Sequence, residues 1–118
     1  YVLVYENEDQ IKNIKIDKEL FDKKNIDPGG VVITAKGKNS DFVSRYFVPQ
    51  CSFFEDPVTG STHCSLVPYW SKKLGKQKLT SMQLSERGGE MFCIDKGDRV
   101  LINGKAQTYS VGEVFLKN

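Results

Sequence analysis

The sequence predicts an α+β domain in which a curved, barrel-like, mostly antiparallel sheet wraps around one central buried helix. Three observations predict it. Residues 62–74 form a helical stretch whose apolar side chains point in nearly all directions, and a helix apolar on most sides is buried on most sides. Short β-branched and aromatic runs, bounded by turn residues, lie on both sides of that stretch. The 118 residues suffice for one domain with one core.

The elements follow in order. Residues 1–6 (YVLVYE) form a short apolar strand. Residues 11–16 (IKNIKI) alternate apolar and polar, which fits a strand or the approach to a helix. Asp17 caps a short helix through residue 24, with Leu20 and Phe21 as its anchors. The NIDPGG segment then ends it, because Pro28 and two glycines cannot continue a helix. Residues 31–35 (VVITA) form a buried strand and 36–40 a turn. Residues 42–48 alternate, which puts Phe42, Ser44, Tyr46 and Val48 on one face and Val43, Arg45 and Phe47 on the other.

The DPVTGS turn at 56–61 leads into the central helix, with Ser61 as its N-cap and Gly75 as its stop. Pro68 removes one helical hydrogen bond and predicts a kink. Leu66, Val67 and Trp70 are expected to be nearly inaccessible, and Tyr69 also belongs to the core. Further strands are expected near 79–85, 90–95, 98–103, 105–111 and 113–116, separated by the turn sequences RGG, DKGD, NGK and VGE.

Composition narrows the function. Seventeen Lys and Arg against 15 Asp and Glu give a formal charge of +2, too small to mark a nucleic-acid surface. Lys72, Lys73, Lys76 and Lys78 cluster at a helix end, where the macrodipole favours cations; the other reading is phosphate binding. No apolar run approaches the ~18 residues that span a bilayer, so no membrane partner is expected. The chain opens without Met and without a signal peptide, so Tyr1 reads as an internal start with further sequence before it. Cys51, Cys64 and Cys93 are odd in number and form no CxxC pair; together with the lone His63 they predict no metal site. Free thiols in a reducing cytoplasm are expected, with Cys51 and Cys64 in the core.

One segment carries candidate chemistry: FEDPVTGSTH, residues 54–63. Gly60 permits close approach of backbone to a ligand. The amides of Gly60, Ser61 and Thr62 open the helix unpaired, and such a start favours anions, carboxylates included. Asp56 beside it is a candidate proton-transfer group. The other reading is an ordinary Asp-Pro turn leading into an N-cap. His63 is either a histidine bonded to backbone or a substrate contact. Arg45 and Arg87 are either ion-pair partners or substrate clamps.

The run DFVSRYFVPQ, then EDPVTGSTHCSLVPYWSKKLGK, then QLSERGGE resembles the second half of PhzF-like phenazine-biosynthesis isomerases. That family's pattern is DFxSRxFxP, EDPVTGSAHxxLxPYW, LGK and QxSxRGG; Thr62 stands where the family often has Ala. The match is dense over residues 41–90 and sparse outside. The resemblance implies one lobe of a diaminopimelate epimerase-like fold, with residues 1–118 as the C-terminal lobe and an N-terminal lobe absent. It implies a cofactor-independent isomerase or epimerase that moves a proton between substrate carbons by acid–base catalysis. Asp56 and Ser61 map onto catalytic positions, and Gly60, Thr59, Thr62 and His63 onto substrate-binding ones.

A small carboxylate-bearing substrate, the missing lobe and a homodimer are the implied partners. No cofactor is expected. Alone, this chain is expected to hold half a site and to be inactive. The alternative is a non-catalytic binding domain of the same fold.

Overall fold

The computed structural model describes residues 1–24 and 29–116. Among these residues the order is β1 (Val2–Val4), α1 (Glu8–Asn13), α2 (Lys18–Asp22), β2 (Val31–Lys36), β3 (Phe42–Phe47), β4 (Glu55–Asp56), α3 (His63–Leu74), β5 (Lys78–Gln83), β6 (Gly89–Asp95) and β7 (Val100–Gly104). The Asn25–Pro28 part of the expected helix breaker lies outside the described residues.

Of the ambiguous 11–16 stretch, residues 11–13 end a helix and 14–16 have neither helix nor strand. Asn7 and Gln10 form a reciprocal capping box that starts α1, and Ile11 is the residue it buries. Asp17 caps α2 through the Leu20 amide, as expected. Phe21 packs edge-on against Phe54, but Leu20 is 59% exposed and joins neither core cluster of the described residues.

All strands join one sheet in the order β1-β2-β3-β5-β6-β7, with β4 also on β3. Four of the six pairings are antiparallel; β1/β2 and β3/β5 are parallel. The edge of β3 is shared: its first half pairs with β5 and its last two residues with β4. This sharing brings Asp56 alongside Tyr46.

The two sheet faces hold separate cores. On one, α1 and α2 cover a cluster that includes Ile33, Ala35, Val43 and Phe47. On the other, α3 buries Leu66, Val67 and Trp70 against Val32, Phe42, Leu79, Met91 and Cys93. The helix stops at Gly75, whose φ of 68° is the left-handed conformation of a C′ residue. Its chain continues through Pro68 from His63 to Leu74.

The sheet is open, which corrects the barrel. Nothing pairs β7 with β1, and the stretches expected as strands at 105–111 and 113–116 have neither helix nor strand. The helix is accordingly half-covered. Its outer side shows Cys64, Ser65, Tyr69, Lys72 and Lys73, so Tyr69 and Cys64 are not core residues. The all-round apolar pattern overstated burial because Tyr69 offsets exposure by an edge-on contact with Trp70 and by Lys73 over its ring. The 105–116 tail enlarges the molecule: its radius of gyration is 16.2 Å, against about 13.5 Å for a compact chain of this length.

Candidate active site

The DPVTGS turn is held from below by β5 and the loop after it. Gln83, 1% exposed, donates from Nε2 to the Asp56 carbonyl at 2.7 Å and to Thr59 Oγ1 at 3.0 Å. Its Oε1 accepts from the Thr59 amide at 2.8 Å. Ser85 Oγ donates to the Pro57 carbonyl at 2.7 Å and accepts from the Gly88 amide. Gly89 leaves room for Val58: a Cβ there would fall 2.4 Å from its side chain, so Val58 would have to shift. The QLSERGG run is thus the floor of the DPVTGS turn. Gln83 and Ser85 are the fixed polar positions of the QxSxRGG pattern, but residue type gave them no role, because an isolated polar residue in a strand reads as solvent-facing.

Asp56 Oδ2 accepts a 2.6 Å bond from Thr59 Oγ1. The Thr59 carbonyl in turn accepts from Thr62 Oγ1 at 3.0 Å and from His63 Nδ1 at 2.9 Å. Because a carbonyl only accepts, His63 carries its proton on Nδ1, and Nε2 accepts from Ser81 Oγ at 2.9 Å. Burial pushes the His63 pKa below 6.5, partly offset by the Thr59 bond, so the ring is neutral. His63 is 0% exposed, bonded to backbone and packed near Phe42. It steadies the turn from inside.

Ser61 is not the N-cap. Thr62 holds that position, with no side-chain cap bond, because its hydroxyl turns back to Thr59. The amides of His63, Cys64 and Ser65 bond to the carbonyls of Gly60, Ser61 and Thr62. The amides of Gly60, Ser61 and Thr62 donate to no other described residue. Ser61 and Gly60 are exposed, and a Cβ on Gly60 would meet nothing within 4 Å. Ser61 and Thr62 line a hollow of about 220 Å³ together with Gly30, Val32 and Tyr46. Tyr46, the cross-strand partner of Asp56, was not singled out by sequence.

The structure therefore links Asp56, Thr59, Thr62 and His63 by hydrogen bonds and sets Ser61 and Gly60 at the open side. Asp56 does not line the hollow that Ser61 lines. Arg45 is an ion-pair partner: it grips Glu55 through two bonds of 2.7 and 2.9 Å and reaches the carbonyls of Ile11 and Ile14. Arg87 is exposed and makes no ion pair with another described residue. Cys93 is buried, and desolvation raises its thiol to about 11. Cys51 is half-buried, not core. No cluster of three potential metal ligands forms among the described residues, and no helix there is long and apolar enough to cross a membrane.

A mixed sheet carrying a polar turn that opens one covering helix is the architecture of a known family. The model of the phenazine biosynthesis-like proteins, PhzC-PhzF, matches residues 1–112, and the chain belongs to this family. An uncharacterized isomerase from Pseudomonas aeruginosa is 52% identical over 87 residues, which are 74% of this chain and 33% of that protein. A second one from the same organism is 41% identical over 116 residues, 98% of this chain and 44% of its own length. The crystal structure of a PhzC/PhzF protein from Clostridium difficile superposes with a TM-score of 0.84 at 45% identity, over 98% of this chain and 44% of that one. The chain thus spans less than half the length of these relatives.

Proposed function

We propose that this chain is the C-terminal lobe of a two-lobed isomerase that moves a proton between carbons of a small, carboxylate-bearing substrate. The chemistry is acid–base catalysis without metal or organic cofactor, in the cytoplasm, with the site completed by an N-terminal lobe and the protein paired as a homodimer. The observation that carries the reading is Asp56, fixed by Thr59 in the turn that leads into α3, where the amides of Gly60, Ser61 and Thr62 bond to no other described residue. A carboxylate or enolate oxygen is favoured at that positive end. Asp56 holds or returns the proton, and Ser61, exposed at the same start, hydrogen-bonds the substrate. The relatives named as isomerases support the class of reaction.

The test is a chimaera in which this chain replaces the matching 44% of the Clostridium difficile protein. Deuterium uptake from heavy water is measured by NMR on unsaturated carboxylates (crotonate, vinylacetate) and α-amino acids. Uptake is expected, and Asp56→Asn should lower it by about 10²–10⁴-fold with the fold intact. Equal uptake by the Asn variant overturns the role of Asp56, and no uptake on any probe overturns the isomerase reading.

A further inference from the structure

We infer that Gln83 is a positioning residue that fixes Asp56 indirectly, by locking the Thr59 side chain that holds it; this rests on the proposed role of Asp56. Gln83 never touches the Asp56 carboxylate. Its amide reaches three atoms of the turn: the Asp56 carbonyl, the Thr59 amide and Thr59 Oγ1. The third bond decides the chemistry. A Thr hydroxyl has one proton and two acceptor positions. With Gln83 Nε2 donating to Oγ1 at 3.0 Å, the hydroxyl proton is free to point at Asp56 Oδ2, 2.6 Å away. The Gln83 atom that faces Oγ1 is Nε2, which only donates and so cannot take that proton, while Oε1 is turned to the Thr59 amide.

The result is a one-way chain: amide donates to hydroxyl, hydroxyl donates to carboxylate. It caps Oδ2 and leaves Oδ1, which no described residue bonds, as the oxygen that exchanges a proton. Burial enforces it, since Gln83 is 1% and Thr59 6% exposed and water cannot substitute for either partner. The side chain of Gln83 lies on the same sheet face as its register partner Ser44, under α3, so it has no second rotamer in solvent.

The experiment uses the full chain, labelled with ¹⁵N and ¹³C, and reads the χ1 couplings of Asp56 and Thr59 with Thr59 amide exchange. In the native chain both side chains are expected in one rotamer. Gln83→Leu should abolish the single rotamer of Asp56 and speed Thr59 amide exchange roughly five- to tenfold, the loss of about one hydrogen bond. Thr59→Val keeps the amide bond to Gln83 and should release Asp56 alone, which covers the case in which Gln83→Leu fails to fold. Gln83→Glu supplies a rescue arm. Its protonated carboxyl still offers one donor and one acceptor, so the Asp56 rotamer should be locked at low pH and released as the new carboxyl ionises. A merely structural glutamine would lower stability without moving the Asp56 couplings. Unchanged Asp56 couplings in Gln83→Leu or Thr59→Val overturn the proposal. Turnover is not read, so a failed isomerase assay and a failed positioning role are separate results.

Discussion

Trp70 belongs to the core between α3 and the sheet, and its removal can be worked through bond by bond. It is the sole tryptophan, 1% exposed. Its ring stacks on Phe42 at 5.9 Å with planes 4° apart, and its Nε1 donates to Thr34 Oγ1 at 3.0 Å. Trp70→Ala leaves a cavity between α3 and the sheet and should cost about 3–5 kcal/mol. That is about a fifth or more of the stability of a typical domain, roughly 5–15 kcal/mol. Trp70→Phe keeps a ring against Phe42 and loses the indole bond. Thr34 Oγ1 still donates to the Val43 carbonyl at 2.7 Å, so it is not orphaned. The Phe variant should therefore lose only about 1–2 kcal/mol. Urea unfolding followed by far-ultraviolet circular dichroism measures both, since fluorescence vanishes with the residue. The slope of free energy against urea should stay constant. A loss under about 1.5 kcal/mol for Ala, or equal losses for Ala and Phe, would refute the packing argument.

Other outcomes follow from named contacts. Gly30→Ala should destabilise by more than about 2 kcal/mol, because its Cβ would lie 2.2 Å from the Phe47 carbonyl oxygen. Gly60→Ala, whose Cβ meets nothing, should stay within about 0.5 kcal/mol of the parent in a melt, yet lower uptake in the chimaera. The folded-state pKa of His63 is depressed, so the unfolded chain binds the extra proton. Stability should be full above pH 6.5 and fall as pH drops below it, by at most ~1.4 kcal/mol per pH unit from this group. His63→Gln should flatten that part of the melting-temperature profile. An aromatic disulfide reagent should modify exposed Cys64 quickly and Cys93 only on unfolding, as peptide mapping would verify.

Much of this fold is visible in local chemistry. The Asp17 cap, the Gly75 stop and the apolar runs of β2 and β3 each follow from one residue type in one place. Residue chemistry singled out the DPVTGS turn and its open amides, and the resemblance gave its residues their roles. Three things were not legible. The start of α1 was hidden because Asn7 and Gln10 lie ahead of the alternating stretch that drew the eye. Ser61 looked like the cap, but a cap is chosen by backbone geometry, and Thr62 occupies that place. Gln83 and Ser85 belong to the QxSxRGG pattern, but their partners lie 24 to 28 residues away, a separation that sequence spacing does not encode. Barrel closure failed for the same reason. Alternation in 105–116 specifies a strand only when an edge accepts it.

That tail has a practical consequence for anyone who makes this chain. Tyr109, Val111, Val114, Phe115 and Leu116 are each 84–101% exposed, and they sit beyond β7, an edge strand. The other edge, β1, shows Val2, Leu3 and Val4 at more than 40%. An exposed apolar ribbon on a molecule with two open sheet edges is a template for sheet growth between molecules. Glu113 is the sole charge between Lys105 and Leu116, and so the sole gatekeeper there. Colloidal behaviour, more than folding, should govern yield. Light scattering should rise with concentration, and it should fall when Val114 and Leu116 are changed to lysine.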